Sequence, residues 1–252
     1  MRNFKRVLSI ALVLIMAVAC FAGCNSSKAD YVIYSDNAFA PFEFLGDNDK
    51  YVGIDMDILA AVAEDQGFTY EMHNVGFDAA MGAVQSGQAD ATIAGMTITD
   101  ERKETFDFSD GYFKDGQIMV VPADSAIAEE FDLRHQKVAA KTSTMSAQYT
   151  ESLSTEVGFE IDYYESSPEM YQAVITGTNV ACFEDYSVIS YAIKTDNMSL
   201  KTVGEIVNPS EYGFAVKKGT NAELIEKFNA GLKNIKANGK YDEILAKYGM
   251  TA

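Results

Sequence analysis

Gly95, Thr97 and Arg102 fall close together in the stretch IAGMTITDERKETFDFSDGYF (93–113), and their types suit a receptor for a small carboxylate. Arginine brings a planar fork of donors that matches a carboxylate. Glycine lets the backbone approach a bound molecule, Thr97 adds a hydroxyl, and a helix starting near Asp100 would leave unpaired N–H groups in its first turn. A plainer arrangement uses the same residues: Thr97 or Thr99 caps that helix, and Arg102 pairs with Asp107 or Glu104 at the surface.

Catalytic chemistry finds less support. SDN (35–37) and KTS (141–143) occur as fragments in penicillin-recognising enzymes, yet no serine of this chain is followed by lysine three positions later, so the nucleophile is missing. The two histidines, His73 and His135, stand in no triad-like or metal-like spacing. No glycine-rich phosphate loop is present. Neither a metal nor a cofactor is expected, and the chain reads as a binding protein rather than an enzyme.

The elements that must position these residues are those of an α/β protein. Strands are predicted at YVIYS (31–35), FTYEMH (68–73), ATIA (91–94), QIMVV (117–121), KVAAK (137–141), GFEIDYY (158–164), VACF (180–183) and YGFAV (212–216). Helices are predicted at 55–67, where Leu59, Val62 and Ala63 share a face and Gly67 closes the last turn, and at 77–87, near 125–132, from about Ser143, at 168–177, at 186–194 and twice after 220. At 252 residues the chain can form one large domain or two lobes. Ligand sites in open α/β sheets favour the carboxyl ends of the strands.

The start of the chain is separate from that body. Arg2, Lys5 and Arg6 precede an apolar run from Val7 to Val18, which reads as a secretory signal over 1–23. Phe21-Ala22-Gly23-Cys24 resembles the lipobox of bacterial lipoproteins, with Phe21 where leucine is usual. The resemblance implies a lipid on Cys24, with Cys20 as the second candidate and 24–29 as a polar tether. Cys182 is then the one thiol left in the body, an inert buried one with no disulfide partner. The net charge of −17 becomes −20 once the three basic leader residues are removed. Such a surface repels phosphate backbones, so nucleic acid is not an expected partner.

Four stretches carry a resemblance that covers nearly the whole body: DNAFAPFEF (36–44), YVGIDMDILAAVA (51–63), AGMTITDERKETFDFSDGYF (94–113) and NGKYDEILAKYG (238–249). In this order they resemble the polar amino-acid-binding proteins of bacterial ABC importers, of the glutamine-binding and lysine/arginine/ornithine-binding types. The resemblance implies a two-lobed, type II periplasmic-binding-protein fold with a ligand cleft between lobes. Lobe one would be 30–112 plus 213–252 and lobe two 117–207, with hinge crossings at 113–116 and 208–212. It also implies an extracytoplasmic, lipid-anchored monomer that captures a free amino acid and delivers it to a membrane permease. A dehydratase on the same fold, with Glu184 as its acid or base, and a sensor are the alternatives.

Carried over from that resemblance, Arg102 takes the ligand carboxylate with Gly95 and Thr97, helped from the other lobe by Thr144 and the backbone beside it. Asp185 takes the ammonium. Phe39 and Phe77 sandwich the side chain, Asp36 lies where relatives contact its end, and Glu184 sits at a specificity position. Three acids (Asp36, Glu184, Asp185) against one arginine would favour a second positive charge on the ligand, hence arginine or lysine over glutamine. Met145 stands at an expected glycine position, and Lys141 either reaches the cleft or forms a structural ion pair.

Overall fold

The computed structural model describes residues 28–251; the leader, Cys20 and Cys24 lie outside them. The chain runs through β1 (Tyr31–Ser35), β2 (Ala38–Phe39), β3 (Glu43–Leu45), β4 (Tyr51–Val52), α1 (Ile54–Gln66), β5 (Tyr70–Asn74), α2 (Phe77–Ser86), β6 (Ala91–Thr92) and β7 (Phe106–Phe108). It continues with β8 (Phe113–Pro122), β9 (Lys137–Lys141), α3 (Met145–Val157), β10 (Glu160–Tyr164), α4 (Ser167–Ile175), β11 (Ala181–Asp185) and α5 (Tyr186–Asp196). The last elements are β12 (Leu200–Tyr212), β13 (Ala215–Lys217), α6 (Ala222–Ala237) and α7 (Lys240–Lys247).

Two five-stranded sheets organise these elements, in the orders β5-β1-β6-β13-β7 and β10-β9-β11-β8-β12. Each has a parallel core, β5-β1-β6 in one and β10-β9-β11 in the other, extended by antiparallel strands. The parallel strands need crossover helices, and those helices bury both faces of each sheet. On the first sheet, α1 buries Ile54, Ile58, Leu59, Val62 and Ala63 along one stripe and ends at Gly67, whose φ of 67° closes the last turn. Helix α6 packs on α1 through Gly231, where a Cβ would stand 2.8 Å from Val62 Cγ1. Phe228 of α6 stacks flat on Phe214 at 4.5 Å. The second sheet has separate clusters on its two faces, one around Met170, Val174 and Ile189, the other around Leu133, Leu153 and Phe183.

Several elements differ from the sequence expectation. The long strand β12 has no clean alternation of buried and exposed residues, and its register against β8 slips twice, between Val203 and Val207 and between Val207 and Ser210. It is held by pairing with β8 rather than by its own apolar face. The expected helix near 125–132 is a 3-10 turn at Glu130–Leu133, and the expected helix near Asp100 is a single 3-10 turn at Arg102–Glu104. The small antiparallel sheet β2-β3-β4 has only two- and three-residue strands, too short to show a period. Among the described residues no helix is long and apolar enough to cross a membrane.

Candidate functional site

The carboxyl ends of the parallel strands of both sheets meet at one place. Asp36 follows β1, Gly95 comes shortly after β6, and Lys141 and Asp185 are the last residues of β9 and β11. Between them lies a narrow pocket lined by Phe39, Phe77, Ala94, Gly95, Thr97 and Arg102 from the first side and Lys141, Thr144, Met145, Ser146, Glu184 and Asp185 from the second. Eight of the nine expected site residues line it. Asp36 lies behind the wall, where it is 1% exposed.

Arg102 is buried, and its guanidinium is already oriented by protein. Nη1 donates to the Thr97 carbonyl at 2.8 Å and Nη2 donates across the cleft to the Ser143 carbonyl at 3.0 Å. The Phe77 ring lies 5.4 Å away. Burial lowers the guanidinium pKa to about 10, against the opposing pull of Asp185 and Glu101. Thr99 Oγ1 accepts the Arg102 backbone N–H at 3.0 Å, a cap on the 3-10 turn. That short turn does not supply the helix N-terminus expected there.

The helix start that faces the pocket belongs to α3. Thr144 is its N-cap, accepting the Ala147 N–H at 3.1 Å while donating its own hydroxyl hydrogen to the Lys141 carbonyl at 2.8 Å. Its hydrogen is therefore spent, and donors for an anion must come from the N–H groups of the first turn, at Met145 and Ser146. Met145 has a helical backbone. The left-handed position of the loop is Ser143, with φ 61°, so the glycine-like place is two residues earlier than expected. Gly95 is the close-approach glycine: φ is 53°, a Cβ would stand 2.5 Å from Phe39 Cε1, and its N–H donates to Asp55 Oδ2 at 2.8 Å.

Lys141 changes the charge balance. Its Nζ donates to Asp36 Oδ2 at 2.6 Å with both side chains almost fully buried, at 3% and 2% exposure. The same ammonium lies 4.7 Å from the Phe39 ring centroid and 5.8 Å from that of Phe77. Lys141 thus both reaches the cleft and forms an ion pair, and it adds a second cation to the balance of three acids against one arginine, neutralising Asp36 within the aromatic sandwich.

The remaining acids have protein partners of their own. Glu184 accepts the Tyr171 hydroxyl at 2.8 Å and the Asp185 N–H at 3.0 Å, and burial, with Asp185 beside it, raises its carboxyl to about 7. Asp185 accepts Gln117 Nε2 at 3.2 Å and the Tyr212 hydroxyl; burial again raises its pKa. Sequence reasoning missed Gln117, Tyr171 and Tyr212. Only Gln117 gave a signal, as a polar residue, now 1% exposed, opening an apolar strand run. No cluster of His, Cys, Asp and Glu suited to a metal occurs among the described residues.

Comparison with known proteins matches residues 31–251 to the model of the bacterial extracellular solute-binding proteins, family 3. The chain is 30% identical to the ABC transporter glutamine-binding protein GlnH of Bacillus subtilis, over 97% of each chain. It is similar to an ancestral arginine-binding protein solved with arginine, at 36% identity and TM-score 0.81 over 87% of this chain and 97% of that one. It is also similar to substrate-binding domain 2 of Lactococcus lactis GlnP in an open conformation, at 42% identity and TM-score 0.62 over 88% and 96%. The chain belongs to family 3 of the bacterial extracellular solute-binding proteins, and its fold is the two-lobed type II periplasmic-binding-protein fold.

Proposed function

From membership in that family, we propose that the protein is an extracytoplasmic receptor that captures L-glutamine and delivers it to the permease of an ABC importer. The observation that carries the choice of ligand is the buried Lys141–Asp36 pair. Its ammonium sits against both phenyl faces, where a cationic side chain would need to lie, and cancels the acid that would have attracted one. With Glu184 raised to about 7, the pocket is close to neutral when it holds a zwitterion with an uncharged side chain. A second ligand cation would meet Lys141 at short range in a dry site, which is costly. A carboxamide, in contrast, offers donors and an acceptor to a paired Asp and Lys. The relatives include glutamine-binding and arginine-binding proteins alike, so the choice rests on this pair.

In this reading Arg102 takes the ligand carboxylate together with the first-turn N–H groups of α3, Gly95 and Thr97 flank it, Asp185 takes the ammonium, and Phe39 and Phe77 enclose the side-chain methylenes. Both ligand charges then keep a partner when water is expelled. Lobe one is 30–112 plus 213–252 and lobe two 117–207, with the crossings at 113–116 and 208–212; the two sheets, joined through β8 and β12, support this division. Contacts across the cleft, from Arg102 to Ser143, from Lys141 to Asp36 and from Ser143 Oγ to Asp78 at 2.7 Å, are those expected of a closed clamp. Ligand favours closure because it touches both lobes at once. The receptor acts as a monomer, is tethered through lipid on Cys24, and performs no chemistry on its ligand.

The test is a thermal-shift screen of the leaderless protein against the twenty amino acids with ornithine, citrulline and cystine, since a ligand that binds only the folded state raises its stability by mass action. Glutamine should give the largest shift. A shift with arginine or lysine and none with glutamine would overturn the choice of ligand, and turnover of any bound compound would reopen the dehydratase alternative through Glu184.

A further inference from the structure

Tyr212 ends the long strand β12 and is fully buried. Its backbone joins the two sides of the cleft, pairing with Phe113 of β8 in the second sheet and reaching the first side as well. It forms a β-bridge with Thr97, its carbonyl accepts the Tyr112 N–H at 2.9 Å, and the flanking Glu211 carbonyl and Gly213 N–H bond Ile98 and Met96 at 2.8 and 2.9 Å. The side chain reaches the other way. Its hydroxyl contacts Asp185 Oδ2 of β11 and, at 3.3 Å, Asp115 Oδ2 of β8. Phe42 and Phe113 hold the ring, edge-on at 5.1 Å and stacked at 5.9 Å.

One phenol hydrogen thus faces two carboxylates. Asp115 has donors of its own, the Gly116 N–H at 2.9 Å and the Ser187 N–H at the start of α5 at 3.1 Å. Asp185 has Gln117 at 3.2 Å and a distant Ser146 hydroxyl at 3.5 Å. The charged groups that face this pair are Arg102, Lys141 and Glu184. Two buried like charges sharing one donor raise each other's affinity for protons, and Asp115 is pushed up to about 6 by burial and by Asp185.

We propose that Tyr212 is a positioning residue for ammonium capture: its hydroxyl aims Asp185 into the cleft and, through Asp115, ties the occupancy of that carboxylate to the hinge strands. A hydrogen-bond donor held by a rigid, stacked ring fixes the Asp185 rotamer before ligand arrives. When an ammonium supplies Asp185 with new donors, the phenol hydrogen is free to turn to Asp115. Before ligand arrives, the segment that carries Thr97 is thereby linked to Asp185 by one side chain. This inference rests on the amino-acid-receptor reading above.

The experiment titrates L-glutamine and its des-amino analogue glutaramic acid into the full leaderless protein and into Tyr212→Phe and Asp115→Asn, between pH 5 and 8 on the order of one pH unit apart. Tyr212→Phe should weaken glutamine about tenfold at neutral pH, as expected for a lost hydrogen bond to a charged group, and glutaramic acid less than about threefold. The fall in glutamine affinity toward acid pH should move to higher pH in Tyr212→Phe and to lower pH in Asp115→Asn, because one variant removes the shared donor and the other removes the competing charge. Equal losses for the two ligands, or pH curves displaced in parallel for both variants, would overturn the proposal. Should Tyr212→Phe not fold, an unshifted acid limb in Asp115→Asn is sufficient to overturn it. If neither glutamine nor any other amino acid binds the parent protein, the receptor reading fails, and this inference with it.

Discussion

The Asp36→Asn exchange is nearly isosteric, yet it should leave the Lys141 ammonium in the closed cleft without a counter-charge. Both side chains are almost fully buried, and their 2.6 Å contact spans the two sides of the cleft. In an open clamp each would face water, so the loss falls on the closed state rather than on the fold of either lobe. Removing one partner of a buried pair costs roughly 3–5 kcal/mol. Taking the lower figure, glutamine affinity should fall by about 150-fold, at about 1.4 kcal/mol per tenfold. Lys141→Met should cause a comparable loss for glutamine but should also remove the cation beside Phe39 and Phe77 and leave Asp36 unpaired. Arginine and lysine should then bind better than they bind the parent protein. Isothermal titration with the three amino acids, alongside thermal melts of the ligand-free variants, separates the effects: affinities change and ligand-free melting temperatures stay close to the parent. Losses below about threefold in both variants, or arginine still excluded from Lys141→Met, would refute the argument that this pair selects the ligand.

Arg102→Lys should weaken every amino-acid ligand by at least about tenfold in the same titration, because a point charge cannot hold the Thr97 and Ser143 carbonyls and grip a carboxylate in two places. Gly95→Ala should lower affinity by displacing Phe39, since the new Cβ would stand 2.5 Å from that ring; an unchanged binding isotherm would argue against a close-approach role. Glu184 titrates at about 7 in the folded protein against an ordinary 4.5, so between these values the folded state keeps a proton that the unfolded chain has released. Stability with saturating glutamine should therefore decline as pH rises through that window, by up to about 1.4 kcal/mol per pH unit. Denaturant melts of Glu184→Gln should show a shallower decline. Cys24→Ala should move the protein from membrane to medium in its native host, and continued acylated attachment would point to Cys20 instead.

The sequence alone determined the α/β alternation, because strands and helices with one buried face write their period into neighbouring residues; α1, with Leu59, Val62 and Ala63 on its stripe, is the clear case. It also determined that Gly95, Thr97 and Arg102 stand together, since they are neighbours along one short segment. Where an element lacks a periodic face, the reading failed. Strand β12 is mostly exposed or half-buried and is bulged, and exists because β8 pairs with it; the helix read near Asp100 is one 3-10 turn. The charge of the site was the larger omission. Counting acids and arginines along the chain puts Asp36 and Lys141 105 residues apart with no local sign of pairing. Tyr212 is likewise 27 residues from Asp185 and reaches it only because the end of β12 turns it inward. Local pattern records which face of an element is apolar. Which buried charges end up opposite one another depends on how two sheets meet, and only the tertiary structure decides that.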